Sequence, residues 1–273
     1  MFQTALKSAF VLSVIIIVLM IVASAGGLFI ADLYQDNLLV SAAWYGNDII
    51  TLLLAVPLFI LSLVFSKRGS HRALLVWMGM LFYTLYNYAF YLFGAAFNGF
   101  FLIYVALFTF STLALIFGMA TLNVRSIEKL LQPNPIKKWV GGFMMLVAVL
   151  LGVFHVSISL GYVFTGVVPD IIVNIGHPTN VISALDLSFV VSFGFLGALW
   201  LWRGQTWGYV VAVIWNVKGA VYLIALSLAT VQAFQVGATD DLFQLALWGP
   251  LAVGCMISSL LLLRNIKTAA PLP

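Results

Sequence analysis

Eight stretches of this chain are almost continuously apolar: roughly 6–30, 47–66, 73–96, 99–121, 139–165, 181–202, 207–231 and 242–263. Each approaches or exceeds the ~20 apolar residues that an α-helix needs to cross the hydrocarbon core of a bilayer. A transmembrane β-barrel would instead show alternating strands of about 10 residues, and these runs do not alternate. The pattern predicts an all-α integral membrane protein with eight transmembrane helices. A helix satisfies its own backbone hydrogen bonds, which lipid cannot do for it.

Composition sharpens that reading. The chain is 64% hydrophobic and 7% charged, against about 25% charged residues in soluble domains. Too few polar residues are present to cover a water-facing surface, so membrane lipid is an expected partner. The net charge of +4 reads as a topology signal rather than a nucleic-acid footprint. A single cysteine, Cys255, excludes an internal disulfide. The first run, with Lys7 before it and Ala23-Ser24-Ala25 near its end, resembles a signal peptide. Its length favours a retained first span.

Basic residues are segregated among the connections. Lys7 precedes the first run, and Lys67, Arg68 and Arg72 separate the second from the third. Arg125, Lys129, Lys137 and Lys138 separate the fourth from the fifth, Arg203 the sixth from the seventh, and Arg264 and Lys267 follow the eighth. The other connections contain no Lys or Arg and hold Asp32, Asp36, Asp170, Asp240 and Asp241. Positive charge marks the cytoplasmic side. The expectation is therefore a plasma-membrane protein with both termini cytoplasmic. Trp44 and Tyr45, in the connection 31–46, suit the membrane interface. Segment 123–138 reads as a cytoplasmic linker, with Pro133 and Pro135 opposing a continuous helix.

The linker falls near mid-chain and divides it into 1–122 and 139–273. Shifting the sequence by 138 residues superposes Asp32 on Asp170, Asp48 on Asp186 and Trp77 on Trp215. The halves thus suggest a tandem parallel repeat of four helices each, related by an axis along the membrane normal. Met80 in the first half is then the counterpart of Lys218 in the second.

Lys218 is the one Lys or Arg stranded inside an apolar run. It lies roughly 16 Å from the nearer end of its helix, at 1.5 Å per residue, too deep to reach either surface comfortably. A central lysine costs about 2.5–3.5 kcal/mol on insertion scales and demands a protein or water environment. Trp215, Lys218 and Tyr222 share a helical face. Asp186, about 9 Å below the end of its own helix, is the natural partner, directly or through water. Asp48 takes the matching place in the first half, as an outer-entrance acid or as a helix N-cap. Other polar groups gather at similar depth: Asn87 and Tyr83 in the aromatic run 83–91, His155, and Asn216.

These residues form the predicted site for a small molecule or ion: Lys218, Asp186, Asn87, Asp48, His155, Tyr83, Tyr222 and Asn216. The leading expectation is a small-solute or ion-coupled transporter. An intramembrane enzyme acting on a lipid or isoprenoid, with Asp186 and His155 as acid and base, is the alternative. A non-catalytic ligand-binding or assembly subunit is a third. No HExxH, GxSxG, P-loop or cysteine-pair metal motif occurs, so no catalytic residue, metal ligand or cofactor is assigned. The pattern leans away from an enzyme and leaves the oligomeric state unread.

Overall fold

The computed structural model describes residues 2–132 and 135–267; Pro133 lies outside the described residues, as do the last six positions. Side chains are described from Ala5. Among these residues eight helices are long and apolar enough to span a membrane. They are α1 (Phe2–Phe29), α2 (Leu38–Lys67), α3 (His71–Gly94), α4 (Phe101–Thr121), α6 (Ile136–Thr165), α8 (Val181–Trp202), α9 (Thr206–Gln235) and α10 (Leu245–Arg264). Two short helices, α5 (Val124–Leu130) and α7 (Asp170–Ile175), lie in connections. The only β-pairing among the described residues is an isolated bridge between Leu131 and Ile266.

Side-chain hydrogen bonds set several helix starts. Asn37 accepts from Val40 N and opens α2, Ser70 accepts from Ala73 N at α3, and Asn180 accepts from Ser183 N at α8. Such caps satisfy amide groups that would otherwise lack a partner. The Asn37 cap corrects the expected start of the second span, which begins at Leu38 instead of 47. Asp48 is consequently not an N-cap; it lies about three turns inside the helix. Trp44 is not an interface residue either. It is 2% exposed, and its indole Nε1 donates to Asp36 at 2.9 Å.

Helices α3 and α9 form the centre. Of their most apolar windows 78% and 67% are buried, against 17% for α6. They pack on each other, and α2 also packs on α9. Gly46 of α2 makes that approach possible: a Cβ there would fall 2.6 Å from the Ala229 backbone. In each half the first helix packs on the second, the second on the third, the third on the fourth, and the fourth returns to the first. Central helices are screened from lipid, which lets α3 and α9 carry polar groups at mid-depth.

Two spans depart from α-geometry. In α2, Thr51–Ala55 form a π-helical turn. Pro57 follows it, and a proline removes one amide donor and crowds the carbonyl four residues back, so widening the turn relieves the clash. In α8, Asp186–Val191 form a second π-turn. Ser192 supports it, its Oγ donating to Leu187 O at 2.7 Å. Each π-turn lies beside the acid of its helix, Asp48 or Asp186.

The expected linker is a clamped element. Ile127 of α5 is fully buried. Gln132 N donates to Asn265 O and Lys267 N to Leu130 O, while the Arg72 guanidinium donates to Ile266 O. Basic connections thus gather at one end of the bundle, here the basic end. At the opposite, acidic end, Asn37 Nδ2 donates to Asn174 O.

Candidate functional site

Lys218 lies on α9 and is 4% exposed. Its Nζ sits 3.4 Å from the centroid of the Tyr86 ring and 4.5 Å from that of Tyr222. The two rings meet edge to face at 4.8 Å. No carboxylate lies within 4.0 Å of Lys218 among the described residues. Of the two expected routes to Asp186, direct or through water, the direct one is not made; Tyr86 lies between, its face receiving the ammonium while its hydroxyl donates to the acid. A negative ring face attracts a cation, most strongly where water is excluded. Trp215 does not share this contact; its Nε1 donates to Val190 O at 2.9 Å.

Asp186, on α8, is held by side chains from two other helices. Tyr86 of α3 donates to Oδ1 at 2.5 Å. His155 of α6 meets Oδ2 through Nε2 at 3.0 Å, and its Nδ1 contacts Ser183 Oγ at 2.7 Å. Ser183 and Asp186 lie on one face of α8 by their i,i+3 spacing. The side chain of Asp186 is 16% exposed, whereas that of His155 is 2%. One connected row therefore runs Ser183, His155, Asp186, Tyr86, Lys218, Tyr222. Tyr86 and Ser183 were missing from the sequence-predicted set. The Ser-x-x-Asp spacing was a usable signal for Ser183; none marked Tyr86 above the other tyrosines of its run.

Asp48 is 1% exposed, so it is not at an outer entrance. Tyr34 donates to its Oδ2, and Tyr91 to its Oδ1 at 3.0 Å. Asn47 Nδ2 in turn donates to Tyr91 OH at 2.9 Å. Tyr34 lies in the connection outside the spans. Burial, then the adjacent Asp48 carboxylate, pushes its phenol well above the ordinary tyrosine range, which keeps it a proton donor. Gly27 of α1 leaves room for this contact: a Cβ there would fall 2.0 Å from Asp48 Oδ2. Tyr83 pairs with Thr51 at 3.0 Å, on the first residue of the π-turn.

The lining of a cavity of about 30 Å³ includes Trp44, Asn47, Asn87 and Tyr222. Asn47 Oδ1 and Asn87 Nδ2 are buried without hydrogen-bond partners. One is an acceptor, the other a donor, and the space between them suffices for a water. The cavity joins the Asp48 group to Tyr222, and so to Lys218. Asn216 is not part of this assembly; its Nδ2 donates to Ala212 O in its own helix. A larger cavity of about 180 Å³, bordered by His71, Thr121 and Asn123, contains none of the predicted site residues. Size alone is a poor guide here, because the buried charges lie elsewhere.

Comparison of the chain with protein families, curated proteins and solved structures found no match. The chemistry of these side chains is therefore what bears on function. The chain is a multi-pass helical membrane protein.

Proposed function

We propose that this protein is a small-solute or ion-coupled transporter whose working site is the row from His155 through Asp186, Tyr86 and Lys218 to Tyr222. The observation that carries the reading is Lys218: a lysine at mid-depth, buried, held by aromatic faces rather than by a carboxylate. A charge kept in such a place at the cost of stability is a functional feature. Adding a proton to the His155–Asp186 pair, or an anionic group on Lys218, alters the hold of Tyr86 on both sides at once. A ligand shifts a conformational balance only by its differential affinity for the two states, and this row supplies that difference. The π-turns beside Asp48 and Asp186 are local weak points where α2 and α8 can flex.

The same reading takes the two halves as a parallel duplication moving about α3 and α9, with both termini cytoplasmic in the plasma membrane. The pairing of helices, the matched acids and the matched π-turns support it. Alternating access is tested with Ala225→Cys, which lines the small cavity, in a Cys255→Ser background. A membrane-impermeant thiol reagent is expected to reach position 225 from either side in turn. Protection from both sides under all ionic conditions overturns the transport reading.

One observation favours the enzyme alternative: Ser183, His155 and Asp186 form a hydroxyl–imidazole–carboxylate chain. In that reading His155 activates the Ser183 hydroxyl toward a lipid or isoprenoid substrate, and Lys218 stabilises developing negative charge. Ser183 is 3% exposed. A fluorophosphonate lipid probe that labels wild type but not Ser183→Ala would support this chemistry; no labelling of folded protein would exclude it.

A further inference from the structure

The surroundings of Asp48 differ in kind from those of Asp186. No lysine, arginine or histidine nitrogen lies within 4.0 Å of Asp48 among the described residues. A buried ionised carboxylate without a cationic partner is strongly disfavoured. The carboxylate oxygens nevertheless both accept from phenols, Oδ2 from Tyr34 and Oδ1 from Tyr91, the arrangement of an ionised group. Around it are further oxygens. Ser24 Oγ, Tyr88 OH and Tyr104 OH are all buried without a hydrogen-bond partner. Ser24 lies three residues before Gly27, on the face of α1 that meets Asp48, and Tyr88 and Tyr104 pack on Tyr91, which donates to Asp48. These side chains come from α1, α3 and α4 and are at most 2% exposed.

We propose that Asp48 and these three hydroxyls form a sodium site. Hard cations take oxygen ligands, and only oxygens are offered here. One carboxylate balances one positive charge, which selects a monovalent ion over calcium or magnesium. A proton on Asp48 would neutralise the acid but leave Ser24, Tyr88 and Tyr104 unpartnered. A cation uses their lone pairs and frees their protons to turn toward the carboxylate. An organic ammonium does not fit. The rings of Tyr88, Tyr91 and Tyr104 lie 5.2–6.2 Å apart, packed on one another, and Gly27 already brings α1 against the acid. Close packing of that kind favours sodium over the larger potassium ion. As a binding site this stands by itself; as the coupling site of transport it rests on the reading above.

The test is sodium binding by the full-length protein in detergent, without any transport step. Thermal melts in NaCl, KCl and choline chloride at one ionic strength should show a saturable rise in Tm with sodium alone. Asp48→Asn should abolish the rise. Ser24→Ala and Tyr104→Phe, which keep the carboxylate, should each weaken sodium about tenfold or more, read as a right-shifted titration and as lost ²²Na⁺ retention. These two variants decide the matter if Asp48→Asn does not fold. The proposal is overturned if sodium gives no rise beyond potassium or choline. It is equally overturned if Asp48→Asn keeps the rise, or if acidification in choline reproduces it and sodium then adds nothing. Sodium binding without any flux would retain the site and reject its role in transport.

Discussion

Replacing Lys218 with methionine separates two accounts of the buried charge by the sign of its effect. Methionine keeps the length and apolar stem of lysine and removes the ammonium. Removing a central charge returns about 2.5–3.5 kcal/mol on insertion scales. The thioether against Tyr86 and Tyr222 adds about 0.3–1.5 kcal/mol. Against this stands the lost cation–π attraction. It amounts to about 2 kcal/mol or more for the desolvated contact at 3.4 Å, with about 0.5–1 kcal/mol from the ring at 4.5 Å. The balance is a gain of about 1 kcal/mol. That corresponds to a Tm rise of about 2–4 °C for a chain of this size. A direct Lys218–Asp186 pair predicts the opposite, because Lys218→Met would strand the acid at a cost of about 3–5 kcal/mol. The two outcomes lie far enough apart for thermal melts of purified protein in one detergent to decide. The cycle with Asp186→Asn adds a second criterion: coupling through Tyr86 should be about 1 kcal/mol or less. A Lys218→Met variant that melts several degrees below wild type, with strong coupling to Asp186, would refute the connection through Tyr86.

Tyr86→Phe keeps the ring under Lys218 but withdraws the donor from Asp186. It should cost about 1.5–3 kcal/mol, seen in the same melts, and an unchanged Tm would remove Tyr86 from the row. Gly46→Val should force α2 away from the Ala229 backbone and lower stability by about 1–3 kcal/mol or more; a wild-type melt would show that the approach is not tight. Reporter fusions after Lys138 and after Asp241 should report opposite sides of the membrane, and the same side for both would overturn the eight-span topology.

Apolar run length was enough to place eight helices, because it obeys a local rule that lipid enforces. The start of α2 was not legible from hydrophobicity. Residues 38–46 cross less apolar sequence, and the decisive feature is the Asn37 cap. Trp44 looked like an interface anchor because tryptophan is common there, yet Asp36 holds its indole inward. Lys218, Asp186 and His155 stood out as polar groups inside apolar runs, and all three fall in one connected row. Their connection was hidden, since depth along a helix says nothing about which neighbour lies across the gap. Tyr86 supplies the connection from α3, one of several tyrosines in a short run, and only the packing of α3 against α8 and α9 picks it out. The linker 123–138 reads as loose from its prolines, whereas its backbone hydrogen bonds to Asn265 and Lys267 are a long-range property.

The central claim, that the Lys218 row moves charge, is tested most directly by current. Proteoliposomes adsorbed on a solid-supported membrane are subjected to a pH jump at fixed sodium and to a sodium jump at fixed pH. Wild type should give a charge displacement above that of protein-free liposomes. Lys218→Met should give none, although it melts at or above the wild-type temperature. Wild-type currents from Lys218→Met would contradict the claim and leave the buried lysine a structural feature.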